Sequence, residues 1–242
     1  MMIKLRTNPS LLRSFALSAL LVSVAGTAQA ENNVVVELYT SQGCSSCPAA
    51  DKVLKSLSTQ SNVIALSLNV DYWDYLGWKD DLALAGNSKR QRKYAKVMRS
   101  RHVYTPQLMV DGKMDVIGSR RSQVDSAVAS HANMKDQAQV DASVSGDTVQ
   151  VSVRSSGESE GDSVIWLVGY DSSITKQIGA GENRGRSIEY SNVVREWREV
   201  GRWDGKAPLD LQSTRPKGGS GFAVIVQKDE VGPILGATQV RY

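Results

Sequence analysis

Val34-Val35-Val36-Glu37-Leu38-Tyr39 runs into Thr40-Ser41-Gln42-Gly43-Cys44-Ser45-Ser46-Cys47-Pro48, and the reading of this stretch decides the fold. Its first part has the composition of a buried strand, an apolar run interrupted by one carboxylate. Pro48 opens a helical pattern in which Val53, Leu54 and Leu57 share one face, so the two sulfurs sit where a strand hands over to a helix. Cys44 and Cys47 are the only cysteines in 242 residues. A bond between them closes a ring of about four residues, too small to restrain an unfolded chain appreciably. Held at the positive end of a helix, the pair suits thiol–disulfide chemistry or a metal–thiolate centre.

Outward from this stretch, residues 31–136 alternate strand and helix. Val63 to Val70 reads as a second buried strand, and Asp81 to Ser100 as a helix interrupted at Gly86-Asn87. Gln107 to Val110 and Met114 to Ile117 flank Asp111-Gly112, a strong hairpin turn. Ser119 to His131 closes the region as a helix. The order β-α-β-α-β-β-α requires a parallel crossover followed by an antiparallel hairpin.

Residues 137–242 read differently. Val140 to Val144 and Val149 to Val153 alternate apolar and polar residues about Gly146-Asp147. Val164 to Tyr170, Ser187 to Val194, Glu196 to Trp203, Phe222 to Gln227 and Ala237 to Tyr242 follow as strands. The expectation is a separate, smaller all-β sandwich. Ser155 to Asp162 is a low-complexity polar loop.

Residues 1–30 have the form of a signal peptide: Lys4, Arg6 and Arg13, an apolar core from Ser14 to Ala25, then Ala28-Gln29-Ala30 before a cut at Ala30-Glu31. A periplasmic or secreted location follows, with no membrane span in the mature chain. The leader holds three of the 29 Lys and Arg, which leaves 26 cations against 25 Asp and Glu. That balance gives no footing for nucleic-acid binding. Lys89-Arg90-Gln91-Arg92-Lys93, the one basic cluster, reads as a solvated helix face. In an oxidising compartment the cysteine pair can cycle or stay oxidised.

Three features resemble the thioredoxin superfamily: the strand, Cys44-Ser45-Ser46-Cys47 and helix; Thr105-Pro106 directly before the Gln107 to Gly112 hairpin segment; and the strand order with its closing helix. A closer resemblance is to exported bacterial proteins known as domain of unknown function 1223. It rests on Leu38 to Pro48, on Val70-Asp71-Tyr72-Trp73-Asp74-Tyr75-Leu76-Gly77-Trp78, on Val103-Tyr104-Thr105-Pro106-Gln107, and on Gly181-Glu182-Asn183-Arg184-Gly185-Arg186. The fold class these resemblances imply is a thioredoxin-like α/β domain followed by the all-β domain.

They also imply roles. Cys44 is the nucleophile at the helix start and Cys47 the resolving partner, and the two form the redox disulfide. Glu37 is the candidate buried carboxylate relaying a proton to or from Cys47. The Thr105–Pro106 bond is expected to be cis, with Thr105 pairing to an extended protein thiol or disulfide substrate. Tyr72 and Trp73, with Tyr75 and Trp78, either cap the cysteine groove as a substrate platform or pack the core. No cofactor and no metal are assigned, and the redox partner is open. His102 and His131 fit no compact zinc spacing with the cysteines. Two readings stay beside exchange chemistry: a copper carrier using His102, and a non-catalytic binding or assembly module.

Overall fold

The computed structural model describes Met1, Met2, residues 32–157 and residues 161–242. The expected leader, Met1 and Met2 apart, and the expected cut at Ala30–Glu31 lie outside the described residues.

The first strand, β1 (Val34–Thr40), is buried along its whole length, as its composition requires. It pairs in parallel with β2 (Val63–Asn69) across the crossover helix α1 (Cys47–Leu57). Helix α2 (Ala85–Val97) begins where an interruption was expected. Asn87 in its first turn donates to the Asn69 carbonyl at 3.0 Å, and Ser88 donates to Asp71 Oδ1 at 2.5 Å, so the start of α2 is fastened to the end of β2. The hairpin β3 (Gln107–Val110) and β4 (Met114–Ile117) lies on the other side of β1, and α3 (Arg121–Ala132) follows.

From residue 138 the regular elements among the described residues are all strands: β5 (Ala138–Ser145), β6 (Thr148–Ser155), β7 (Ser163–Gln177), β8 (Ser187–Trp203), β9 (Leu209–Thr214), β10 (Gly221–Lys228) and β11 (Ile234–Arg241). These do not form a sandwich of their own. β8 pairs in parallel with β2, and the result is one mixed eight-stranded sheet in the order β11-β10-β7-β8-β2-β1-β3-β4. Only β5, β6 and β9 separate into a second, three-stranded sheet. The expected fold class, a thioredoxin-like α/β domain followed by a separate all-β sandwich, is therefore overturned. Glu31–Tyr242 is one compact, mainly β unit. The physical reason is the edge of β2: its unpaired N–H and C=O groups need partners, and a strand from distant sequence supplies them. Asn192, with φ +48°, adds a side-chain hydrogen bond to the Ala65 carbonyl at 2.8 Å.

Two smaller differences share one cause. Residues 187–203, expected as two strands, are one long strand with a bulge at Arg195, opposite the Gly169–Tyr170 step. β9 was not expected, although Leu209 and Leu211 alternate with polar neighbours and face the core. Local pattern reports which residues are buried, not which strand buries them.

The large sheet is covered on both faces. Val36 and Leu38 of β1 pack under α1 and α3, while Val35 and Tyr39 point to the opposite face, where α2 sends in Tyr94. On the α1 side, the three-stranded sheet covers Ile165, Leu167, Phe222 and Val224. Glu37 shares the α2 face with Val35 and Tyr39. There Arg90 meets it in a two-pronged contact, Nε to Oε2 and Nη2 to Oε1, both at 2.8 Å. Tyr39 and Tyr94 hydroxyls donate to the same carboxylate at 2.9 and 2.8 Å. Arg90 also donates to Gln227 Oε1 at 2.8 Å, and its guanidinium lies 3.9 Å over the Trp197 ring. The basic cluster thus contributes a buried cation that ties β1, α2 and β10 together. Arg90→Ala strands the Glu37 carboxylate in the core and is expected to cost about 3–5 kcal/mol, read by urea denaturation; a loss under about 1 kcal/mol contradicts this account of the core.

Candidate functional site

The cysteine turn leaves the C-terminal end of β1 and enters α1. The Cys47 amide donates to the Cys44 carbonyl at 3.2 Å, and the two residues form a disulfide with Cα atoms 5.4 Å apart. Pro48 occupies the first turn of α1, where its missing N–H costs nothing. Cys44 is 3% exposed and Cys47 fully buried, directly beneath the exposed Ser45 and Ser46. The Ser46 hydroxyl lies 3.4 Å from the Cys44 sulfur.

The turn is held by groups from distant parts of the chain. Gln42 receives a hydrogen bond from Trp78 Nε1 at 2.7 Å, and its own amide donates to Asp80 Oδ2 at 2.9 Å. Asn183 Nδ2 donates to the carbonyls of Gln42 and Cys44 at 2.9 and 2.8 Å. Glu182 Oε2 accepts from the Ser45 amide at 3.1 Å. Asn183 is completely buried and lies in the loop joining β7 to β8, so the last hundred residues of the chain complete a site begun by the first fifty.

Thr105 and Pro106 are joined by a cis peptide bond. Pro106 is set against the first turn of α1 by Gly118: a Cβ there would stand 3.1 Å from Ala50 Cβ and 3.5 Å from Pro106 Cβ. Trp73 bridges the two halves of the site. Its indole donates to Thr105 Oγ1 at 2.7 Å, and its Cβ lies 3.1 Å from the point where a Cβ on Gly43 would stand. Tyr75, 78% exposed, stacks on Trp73 with ring centroids 6.4 Å apart. The Tyr72 hydroxyl donates to Gln91 Oε1 at 3.0 Å on α2 and also meets the Thr105 side chain, while its ring lies 6.0 Å from that of Trp73. Of the expected substrate platform, Trp73 lies against Gly43 of the cysteine turn, Pro106 lies near the first turn of α1, and Tyr72 joins Thr105 to α2.

Glu37 is not brought there either. It points to the α2 face, whereas Cys47 and Ala50 belong to the α1 face, and its ion pair with Arg90 occupies both oxygens. The carboxyl group behind the cysteines is Asp51, one helical turn after Cys47 on the buried face of α1. Oδ1 accepts from Thr40 Oγ1 at 2.8 Å, and Oδ2 has no partner among the described residues. Burial pushes its pKa up to about 8; the Thr40 hydrogen bond opposes this and the neighbouring Asp80 adds to it. The Tyr190 hydroxyl, also buried without a partner, is pushed up by burial and then by the charge of Asp51. A signal for Asp51 existed in the sequence: a lone carboxylate four residues after Cys47, within the apolar stripe of a helix.

His102 is exposed, and His131 is buried against Asp111, Nδ1 to Oδ2 at 3.1 Å, near the start of β1 and away from its cysteine end. Among the described residues no group of three or more His, Cys, Asp or Glu side chains is arranged to hold a metal ion. No described helix is long and apolar enough to cross a membrane.

The chain belongs to the family described as protein of unknown function DUF1223, which matches residues 35–227. It is similar to the crystal structure of protein AGR_C_4864 from Agrobacterium tumefaciens, with 30% identity over 88% of this chain and 96% of that one, and a TM-score of 0.75. It also shares a fold with HBP35 of Porphyromonas gingivalis at 12% identity, covering 87% of this chain and 75% of that one, with a TM-score of 0.55. No curated protein matches it in sequence.

The Asp51 geometry fixes the sign of a pH effect. Between about pH 4 and pH 8 the folded chain keeps a proton on Asp51 that the unfolded chain releases, so this group lowers stability as pH rises through that window and levels off above about 8. The slope from one such group is at most about 1.4 kcal/mol per pH unit. Asp51→Asn removes it, so the variant gains stability over the parent from about pH 5 to about pH 8 in urea denaturation; a difference independent of pH contradicts the assignment.

Proposed function

We propose that this protein is an exported thiol–disulfide oxidoreductase that exchanges disulfides with protein substrates in the periplasm through Cys44 and Cys47. One observation carries the reading: a disulfide that closes only a four-residue ring sits one helical turn from a buried carboxyl group, one oxygen of which has no partner among the described residues. The leader-like first thirty residues support export to a compartment where such a disulfide persists.

The chemistry follows from position. A partner thiolate attacks the Cys44 sulfur, the outer of the two, forming a mixed disulfide and expelling Cys47 as a thiolate. Asp51, protonated near neutral pH because burial raises its pKa to about 8, is one turn away to supply the proton that Cys47 takes up. A second partner thiolate then attacks the partner's own sulfur in the mixed disulfide and releases Cys44. The partner has lost two electrons and two protons as it gains a disulfide; Cys44 and Cys47 have become thiols. Run backwards, Asp51 accepts the Cys47 proton as Cys47 attacks. Trp73, hydrogen-bonded to Thr105 and set against Gly43 of the cysteine turn, and the exposed ring of Tyr75 supply an apolar surface for a peptide segment. At 3% exposure Cys44 meets a partner only after the Ser45–Ser46 turn and the loop carrying Glu182 and Asn183 yield.

Cys47→Ser removes the resolving sulfur and is expected to accumulate mixed disulfides through Cys44 in periplasmic extracts, released by reductant and absent from Cys44→Ser. A Cys47→Ser chain that traps no more than Cys44→Ser overturns the proposal.

A further inference from the structure

The Cys44–Cys47 turn carries a charged visitor that exchange chemistry does not call for. Glu182 comes from the β7–β8 loop, 138 residues from Cys44 in sequence, and its carboxylate accepts the Ser45 amide at 3.1 Å. Ser45 directly follows Cys44, so this carboxylate sits on the backbone amide next in the chain to the residue whose sulfur becomes a thiolate on reduction. It is held there firmly: the next residue, Asn183, is buried and anchors the loop to the Cys44 and Gln42 carbonyls, while Arg186 donates to Asn183 Oδ1 at 3.0 Å. Gly181 lets the loop close on Trp78, with φ +71° and a Cβ position 3.2 Å from Trp78 Cβ.

We propose that Glu182 tunes the site by holding the pKa of Cys44 up and favouring the disulfide over the dithiol. The inference rests on the reading of Cys44 as the attacking sulfur. Two anions, the Glu182 carboxylate and the Cys44 thiolate, compete for the positive entry to α1. Glu182 already takes the Ser45 N–H and repels the thiolate as it forms, so more of the thiol stays protonated and a smaller fraction is nucleophilic. Because a stabilised thiolate favours the reduced form, destabilising it makes the pair more reducing. The other charged groups around the turn do not stand in for Glu182. Asp51 lies on the buried side, Asp80 is taken by the Gln42 and Asn69 amides, Asp81 is paired with Lys176, and Arg184 and Arg186 are exposed on the same loop. The two arginines bring opposite charge but stay in place in every variant, so substitution at Glu182 reads its own charge.

The test is a charge series at one exposed position. In reduced chains carrying Cys47→Ala, so that Cys44 alone titrates as a thiol, ultraviolet thiolate absorbance is followed against pH for Glu182, Glu182→Gln and Glu182→Lys. Gln keeps an acceptor for the Ser45 amide and removes only the charge. The expected result is a Cys44 pKa lower by roughly 0.5 to 1 pH unit in Glu182→Gln, lower again in Glu182→Lys, with the spacing compressed by high salt. A pKa that is unchanged or raised, or that moves equally in both variants whatever the charge, overturns the proposal. The readout needs no partner: a parent chain that exchanges with nothing would sink the exchange reading and leave this comparison standing.

Discussion

One side-chain amide holds the cysteine turn in place. Asn183 donates to the carbonyls of Gln42 and Cys44, two buried backbone acceptors at the mouth of α1, the second shared with the Cys47 amide. That contact exists only because β8 runs beside β2 and its hairpin with β7 continues past the sheet toward α1. There Lys55 of α1 pairs with Glu189 at 2.6 Å, and Leu82, Ile178, Ile188 and Tyr190 close a small core of their own. The cysteines, the loop above them and the carboxyl group below are therefore consequences of a single continuous sheet.

The two faces of β1 divide the labour. Odd-numbered residues from Val35 to Tyr39 look toward α2, and the carboxylate at Glu37 is neutralised there by Arg90 inside the core. Even-numbered residues from Val34 to Thr40 look toward α1, and Thr40 supplies the one hydrogen bond that Asp51 receives among the described residues. Two buried acids, Glu37 on β1 and Asp51 on α1, thus meet opposite fates: one keeps a cation as partner, the other keeps a proton. The first arrangement contributes to stability, and the second is the one the proposed exchange chemistry uses.

Much of this was legible in the chain itself. The apolar run at Val34, the Asp111-Gly112 turn and the Pro48 helix start each specify their own element by local sterics and burial. What was not legible is pairing between distant strands, since the burial pattern of Tyr190, Val193 and Val194 is the same whether β8 lies in a sandwich or against β2. The placement of Glu37 on the face away from α1 was hidden for the same reason. Strand alternation gives two faces but does not say which one the helix after Cys47 will cover, and a lone carboxylate in a strand was more conspicuous than Asp51 in a helix. Arg90 was hidden for a related reason: a cation among Lys89, Arg92 and Lys93 looks solvated until a tryptophan and a buried glutamate are placed beside it.

The account stands on the Cys44–Cys47 disulfide being a reactive pair and not a staple. The direct measurement is its equilibrium with a graded dithiothreitol buffer in the absence of denaturant, with thiols counted by alkylation and folding followed by near-ultraviolet circular dichroism. The account predicts a reversible two-electron reduction in which the native spectrum persists at every poise. Reduction that proceeds only as the chain loses its native spectrum would contradict it.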